Sequence, residues 1–161
     1  MAGPINNIMV YIDGSEESMA AAHYAIALAS STRSRLEAFY VINTKALNDL
    51  VKARIFLQEE QLDYEHDLRE DAERYLKHVG ELAQKKNVRI DAAKAVGNVH
   101  QEIVKRVKER EIDLLVIGEL SHIRSRRDEF YDETERAMRA VSCSVLIVKD
   151  EDRAWELYSG L

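Results

Sequence analysis

Five short apolar runs, each separated from the next by a segment with helical spacing, constrain this chain more than any other feature. The runs are residues 7–12 (NIMVYI), 35–43 (RLEAFYVIN), 88–96 (VRIDAAKAV), 113–118 (DLLVIG) and 144–150 (SVLIVKD). A strict β-α-β-α-β-α-β-α-β alternation predicts a parallel sheet with right-handed crossovers and helices on both faces. The fourth run is apolar throughout, as a central strand buried on both faces must be. The third carries Arg89, Asp91 and Lys94, so one face or edge of it meets water.

The segments between the runs have helix signatures. DGSEES (residues 13–18) ends the first run. Asp13 or Ser15 suits a helix cap, and Glu16 and Glu17 then stand in the first turn, where negative charge complements the dipole. Ala22, Ile26 and Ala29 follow on one face. Residues 45–57 and 68–82 form two further amphipathic pieces, and the polar stretch between them reads as a linker or a solvated helix. Two helices with a loose join are expected over one long helix, given the usual helix length. Val99, Ile103 and Val107 mark an inward face, and residues 128–141 predict a helix with Phe130, Thr134, Ala137, Met138 and Val141 on its apolar side. Residues 1–150 are expected to form a single domain. Residues 151–161 form a C-terminal tail in which Trp155 and Tyr158 pack as one helical turn.

Bulk properties narrow the function. A chain of 161 residues suits one domain, and one this size buries roughly 70% of its unfolded surface. The formal net charge of -6 argues against a general nucleic-acid or anionic-membrane binder. Cys143 is the only cysteine, which excludes an intrachain disulfide and makes a reducing cytoplasm the expected compartment. No apolar run approaches the roughly 18 residues that span a bilayer.

Several of these pieces, in order and spacing, carry a resemblance. DGSEES before an alanine-rich helix, DLLVIGELSH at the fourth strand and its exit, and AVSCSVLIV at the close resemble the universal stress protein family, as does the spacing of VGNVHQEIVKRVKEREIDLLVIG. The resemblance covers about residues 5 to 149. It implies a Rossmann-like, adenine nucleotide alpha hydrolase-like α/β fold: a five-stranded parallel sheet in the order 3-2-1-4-5. Strands three and five are then the edges. The charges of strand three blunt one edge. The other, residues 145–148 (Val145, Leu146, Ile147 and Val148), carries none. Family members that pair through this strand imply a homodimer.

Many family members bind ATP through Gly-x-x-Gly, nine residues, then Gly-Ser or Gly-Thr, with glycines that let the backbone approach the phosphates. Laid on this chain, Gly118 fills the first position, Ser121 stands at the second, Tyr131 at the third and Asp132 at the hydroxyl position. Tyr131 sets a large ring where backbone must come close. Asp132 sets a carboxylate where a triphosphate would sit, and like charges about 4 Å apart repel by around 1 kcal/mol in water. Asp13 matches the acidic residue that lies near adenine and ribose in the family, and also suits a helix cap. Val41 matches the end of strand two that lines the base, and also suits the core. His122 matches a common family residue that borders the pocket. Arg124, Arg126 and Arg127 either offer guanidinium forks to a phosphate or form a solvated loop offset by Asp128, Glu129, Asp132 and Glu133.

The candidate nucleotide-binding residues are therefore Asp13, Val41, Gly118, Ser121, His122 and Arg124. No pair of histidines, and no histidine with Cys143, has metal-ligand spacing. Ser15 is not in a Gly-x-Ser-x-Gly elbow, and Cys143 between Val141 and Val145 reads as a buried, inert thiol. No catalytic set is found. The expectation is a non-catalytic, homodimeric stress-response regulator with no metal and no tightly bound ATP, acting through an unidentified protein partner. The alternative is a sensor that binds AMP or ATP in an altered pocket.

Overall fold

The computed structural model describes residues 3–44, 52, 58–120 and 133–161. The elements run β1 (Asn7–Tyr11), α1 (Glu16–Thr32), β2 (Arg35–Asn43), α2 (Gln58–Lys85), β3 (Asp91–Gly97), α3 (Val99–Glu109), β4 (Leu114–Gly118), α4 (Glu133–Ala140), β5 (Ser144–Val148) and α5 (Glu151–Ser159). The five strands form one sheet in the order β3-β2-β1-β4-β5, and every neighbouring pair is parallel. This is the expected α/β architecture and strand order.

Side-chain alternation along the strands divides the core in two. Ile8, Val10 and Ile12 with Ala38, Tyr40, Ile42, Leu114 and Val116 face α1, α2 and α5. Met9, Tyr11, Phe39, Val41, Leu115 and Ile117 face α3 and α4. The inward faces read from helical spacing are buried: Ala22, Ile26 and Ala29 on α1, and Val99, Ile103 and Val107 on α3.

Strand ends shift by a residue or two from the pattern, and three differences are larger. The polar stretch after residue 57 is helical, so α2 runs 28 residues without a join. Its solvated first half has few apolar residues but carries i,i+4 pairs of Arg69 with Glu65 and His66 with Glu70. The third strand begins at Asp91 rather than Val88, because the chain first turns through Asn87 in the left-handed region (φ 56°) and Val88 N–H closes on Ala83 O. The C-terminal tail forms a nine-residue helix rather than a single turn. Asp150 caps it by accepting from Arg153 N–H at 2.9 Å, and the buried Tyr158 hydroxyl donates to Leu82 O at 2.7 Å. Residues 128–132 of the expected fourth helix lie outside the described residues.

One charge sits inside the sheet. Glu37, in mid-β2, is 4% exposed. Its Oε1 accepts from Arg106 Nε of α3 at 2.8 Å, and Arg110 Nε stands 3.6 Å from Oε2. This ionic pin fixes α3 across β2.

Candidate functional site

In an open α/β sheet the crevice for a ligand lies outside the carboxyl ends of the strands, where strand order reverses. Here that point is between β1 and β4, and the chain exits β1 at Asp13 and β4 at Gly118. The turn after β1 is built from local hydrogen bonds. Asp13 Oδ1 accepts from Ser15 N–H at 2.9 Å and from Ser15 Oγ at 2.5 Å. Ser15 is the N-cap of α1, accepting from Ser18 N–H at 3.1 Å. Asp13 is therefore not the cap itself; it orients the cap from an exposed position. Gly14 has φ +85°, and a Cβ there would lie 2.6 Å from the Tyr75 ring of α2, so the turn needs glycine for conformation and for space. Tyr75 stacks on Tyr40, with ring centroids 6.3 Å apart. Burial raises the Tyr40 hydroxyl above its ordinary value, and the nearby Asp71 and Asp13 carboxylates push it the same way.

Gly118 is close-packed too. A Cβ at this position would fall 2.3 Å from the carbonyl oxygen of Glu17 and 2.4 Å from its carbonyl carbon. The first turn of α1 rests directly on the end of β4. The motif's leading glycine is thus required by helix-on-strand packing, without reference to a ligand.

Among the described residues the crevice encloses about 120 Å³, lined by Tyr11, Asp13, Ser15, Glu17, Ser18, Gly118, Glu119, Leu120 and Thr134. Ligand pockets usually measure about 300–1,000 Å³. Three carboxylates, Asp13, Glu17 and Glu119, line this one; Glu17, a first-turn acid of α1, and Glu119 are not among the expected nucleotide-binding residues. Val41 is 5% exposed and belongs to the core beneath α3 and α4, not to the crevice lining. Of the expected site residues, the structure brings together Asp13 and Gly118. Ser121, His122 and Arg124 lie outside the described residues, as do Tyr131, Asp132 and residues 53–57 of the segment between β2 and α2.

The second helix start at this end of the sheet is also occupied from within. Asn98 caps α3 by accepting from Gln101 N–H at 3.3 Å. Glu133, the first residue of α4, reaches the same turn: its Oε2 accepts from His100 N–H at 3.3 Å and lies 2.5 Å from His100 Nδ1. Burial pulls the Glu133 carboxyl upward, but the bonds from the His100 ring and backbone outweigh it and hold the group below the ordinary glutamate value. A long-range pair of this kind, 33 residues apart, leaves no local signal in the sequence. The Cys143 thiol is pushed up, chiefly by burial, which disfavours the nucleophilic thiolate. Among the described residues no group of three or more His, Cys, Asp or Glu side chains is placed to hold a metal ion, and no helix is long and apolar enough to cross a membrane.

Comparison with known proteins agrees with this frame. The profile of the Universal stress protein family matches residues 4–149. A universal stress protein of Methanocaldococcus jannaschii is 28% identical over 142 residues, covering 88% of this chain and 81% of the relative. Two solved structures share the fold at lower identity. One is a universal stress protein in complex with cAMP (TM-score 0.66, 18% identity, 90% and 97% of the two chains). The other is an Arabidopsis thaliana family protein with AMP bound (TM-score 0.65, 14% identity, 92% and 94%). With the sheet order, the switch-point crevice and a profile match over nearly its whole length, the chain belongs to the universal stress protein family.

Proposed function

We propose that this chain is a non-catalytic stress-response regulator that does not bind ATP tightly. The observation that carries the reading is electrostatic. Asp13, Glu17 and Glu119 line the crevice, and the helix starts that would meet a phosphate hold the protein's own acceptors: Ser15 on α1, Asn98 and Glu133 on α3. A triphosphate entering here would meet like charge and would have to displace bonds already made. Tyr131 and Asp132 at the distal motif positions oppose it further.

The same reading includes a homodimer in a reducing cytoplasm, with a protein partner as the target of regulation. Val145, Leu146 and Ile147 on β5 are partly exposed, and β5 pairs with β4 alone in the described sheet. An uncharged apolar edge of this kind favours pairing with a second copy. Sedimentation of Val145→Lys and Ile147→Lys tests it: the mass should halve, and an unchanged mass refutes the interface.

A second reading is a sensor for a smaller nucleotide, favoured by the cAMP and AMP complexes of the structural relatives and by Asp13 standing at the β1 exit. AMP would need fewer of the distal contacts. The thermal midpoint measured with Mg-ATP, AMP and cAMP separates the readings, since a ligand at 100 times its dissociation constant adds about 2.7 kcal/mol. No shift with any of them supports the first reading. A shift with AMP or cAMP that Asp13→Ala abolishes replaces it with the second, and a shift with Mg-ATP refutes it.

A further inference from the structure

At the other end of the sheet, a groove of about 610 Å³ opens where the carboxyl ends of α1 and α2 meet the amino ends of β2 and β3. Its lining includes Ser30, Arg33, Arg35, Asn87, Arg89 and Asp91. Three unrelated segments supply the arginines: the end of α1, the start of β2 and the α2–β3 connection.

The pairing pattern sets these arginines apart. Every other described arginine has a carboxylate within 3.9 Å: Arg69, Arg74, Arg106, Arg110, Arg136, Arg139 and Arg153. Arg33, Arg35 and Arg89 have none among the described residues, and all three line the one groove. Acid is not scarce in this chain, with 29 Asp and Glu against 23 Lys and Arg, so three unpaired guanidiniums in one place is a local arrangement. Ser30 Oγ and the Asn87 side-chain amide are likewise without hydrogen-bond partners among the described residues.

Arg33 and Asn87 both sit in the left-handed region at φ 56°, as residues just past a helix finish commonly do. The net charge is positive even after the helices are counted. Two helix carboxyl ends contribute about -0.5 each and Asp91 about -1, which leaves roughly +1 from three arginines.

We propose that this groove is an anion site for a small phosphomonoester, with Arg33, Arg35 and Arg89 gripping the phosphate and Ser30 and Asn87 as neutral donors. Guanidinium forks match phosphate oxygens in pairs. The volume lies in the range of small-molecule sites.

Glycerol 3-phosphate is the probe, followed by the arginine Nε–Hε signals in heteronuclear NMR of the full chain. Signals of Arg33, Arg35 and Arg89 should move together and saturate, while that of Arg153 stays in place. Arg33→Gly removes one guanidinium and relaxes the left-handed backbone, so weaker binding in this variant cannot be blamed on unfolding. It and Arg89→Gln should each weaken the probe about tenfold or more, as expected for loss of a charge-assisted contact. Arg153→Gln, with the same change in net charge, should not. Absence of saturable shifts overturns the proposal. So does equal weakening by Arg153→Gln, which would mean diffuse attraction. Tighter binding of an oligoglutamate peptide than of glycerol 3-phosphate would also overturn it, in favour of an acidic protein partner.

Discussion

Substituting Gly118 with alanine tests whether the motif glycine serves packing or a ligand. The added Cβ would sit 2.3 Å from Glu17 O and 2.4 Å from Glu17 C. Ordinary contact between such atoms needs roughly 3.5 Å, so either the first turn of α1 or the end of β4 must move by about 1 Å. Both atoms are backbone, and no rotamer change relieves them. Overpacking a close-packed site costs about 1–3 kcal/mol and occasionally more. In a chain of this size each kcal/mol lowers the melting temperature by about 2–4 °C, so Gly118→Ala should melt about 2–12 °C below the parent. Gly80 supplies the control. It lies within α2 with nothing near its would-be Cβ, so Gly80→Ala should add about 0.5–1 kcal/mol and raise the midpoint. Calorimetry of both variants, without any nucleotide, reads the difference. If Gly118→Ala melts within 2 °C of the parent, a threshold of about one-half to one kcal/mol, the close approach of α1 is refuted and a ligand-based reason for the glycine regains its footing.

Other substitutions probe contacts that hold the site's frame. Glu37→Ala should destabilise by about 1–3 kcal/mol in chemical denaturation, because Arg106 and Arg110, themselves partly exposed, lose their carboxylate partner. Glu37→Met combined with Arg106→Met should recover much of that loss; equal destabilisation by the double variant would refute the ionic account. Tyr158→Phe should cost about 1–3 kcal/mol, since the buried Leu82 carbonyl loses its donor. If its denaturation midpoint is unchanged, α5 is not anchored by this bond. Glu133 has a depressed carboxyl value in the folded state, so its contribution is fully present above the ordinary 4.5 and is lost as pH falls through the folded value. Glu133→Gln should therefore flatten the stability profile below about pH 4.5. An unaltered acid limb would show that the His100 pairing contributes nothing.

Much of this fold follows from period and order in the chain. Strand β2 matches its expected limits, Arg35–Asn43, because a run of buried residues, apolar but for Glu37, lies between an exposed arginine and the start of a polar stretch. Helix α5 carries a local signal for more than the single turn expected. Asp150 followed by Glu151 and Asp152 is a cap and an acidic first turn, ahead of Ala154 and Tyr158 on one face. The roles of single residues were less legible. Gly118 resembles a phosphate glycine until α1 is seen lying on it. Glu37 looks out of place in an apolar strand until Arg106, 69 residues away, is seen to pair with it. The pairing of Glu133 with His100 and the gathering of Arg33, Arg35 and Arg89 depend likewise on crossovers that bring distant segments together.

Among the described residues, the crevice and the groove at opposite ends of the sheet are lined by opposite charge, and helix dipoles explain only part of it. In a parallel α/β fold the carboxyl ends of the strands face helix starts, which favour carboxylates, and the amino ends face helix finishes, which favour cations. Each helix end contributes only about half a charge. At the switch point, the start of α1 meets Glu16 within its first turn and Asp13, Glu17 and Glu119 along the crevice, more negative charge than one dipole neutralises. At the opposite end, two helix finishes and Asp91 meet three arginines, more positive charge than they neutralise. An incoming anion responds to the remainder, not to the dipoles. On the readings proposed above, the remainder among the described residues disfavours phosphate at the crevice and favours it at the groove behind, so one electrostatic argument supports both proposals.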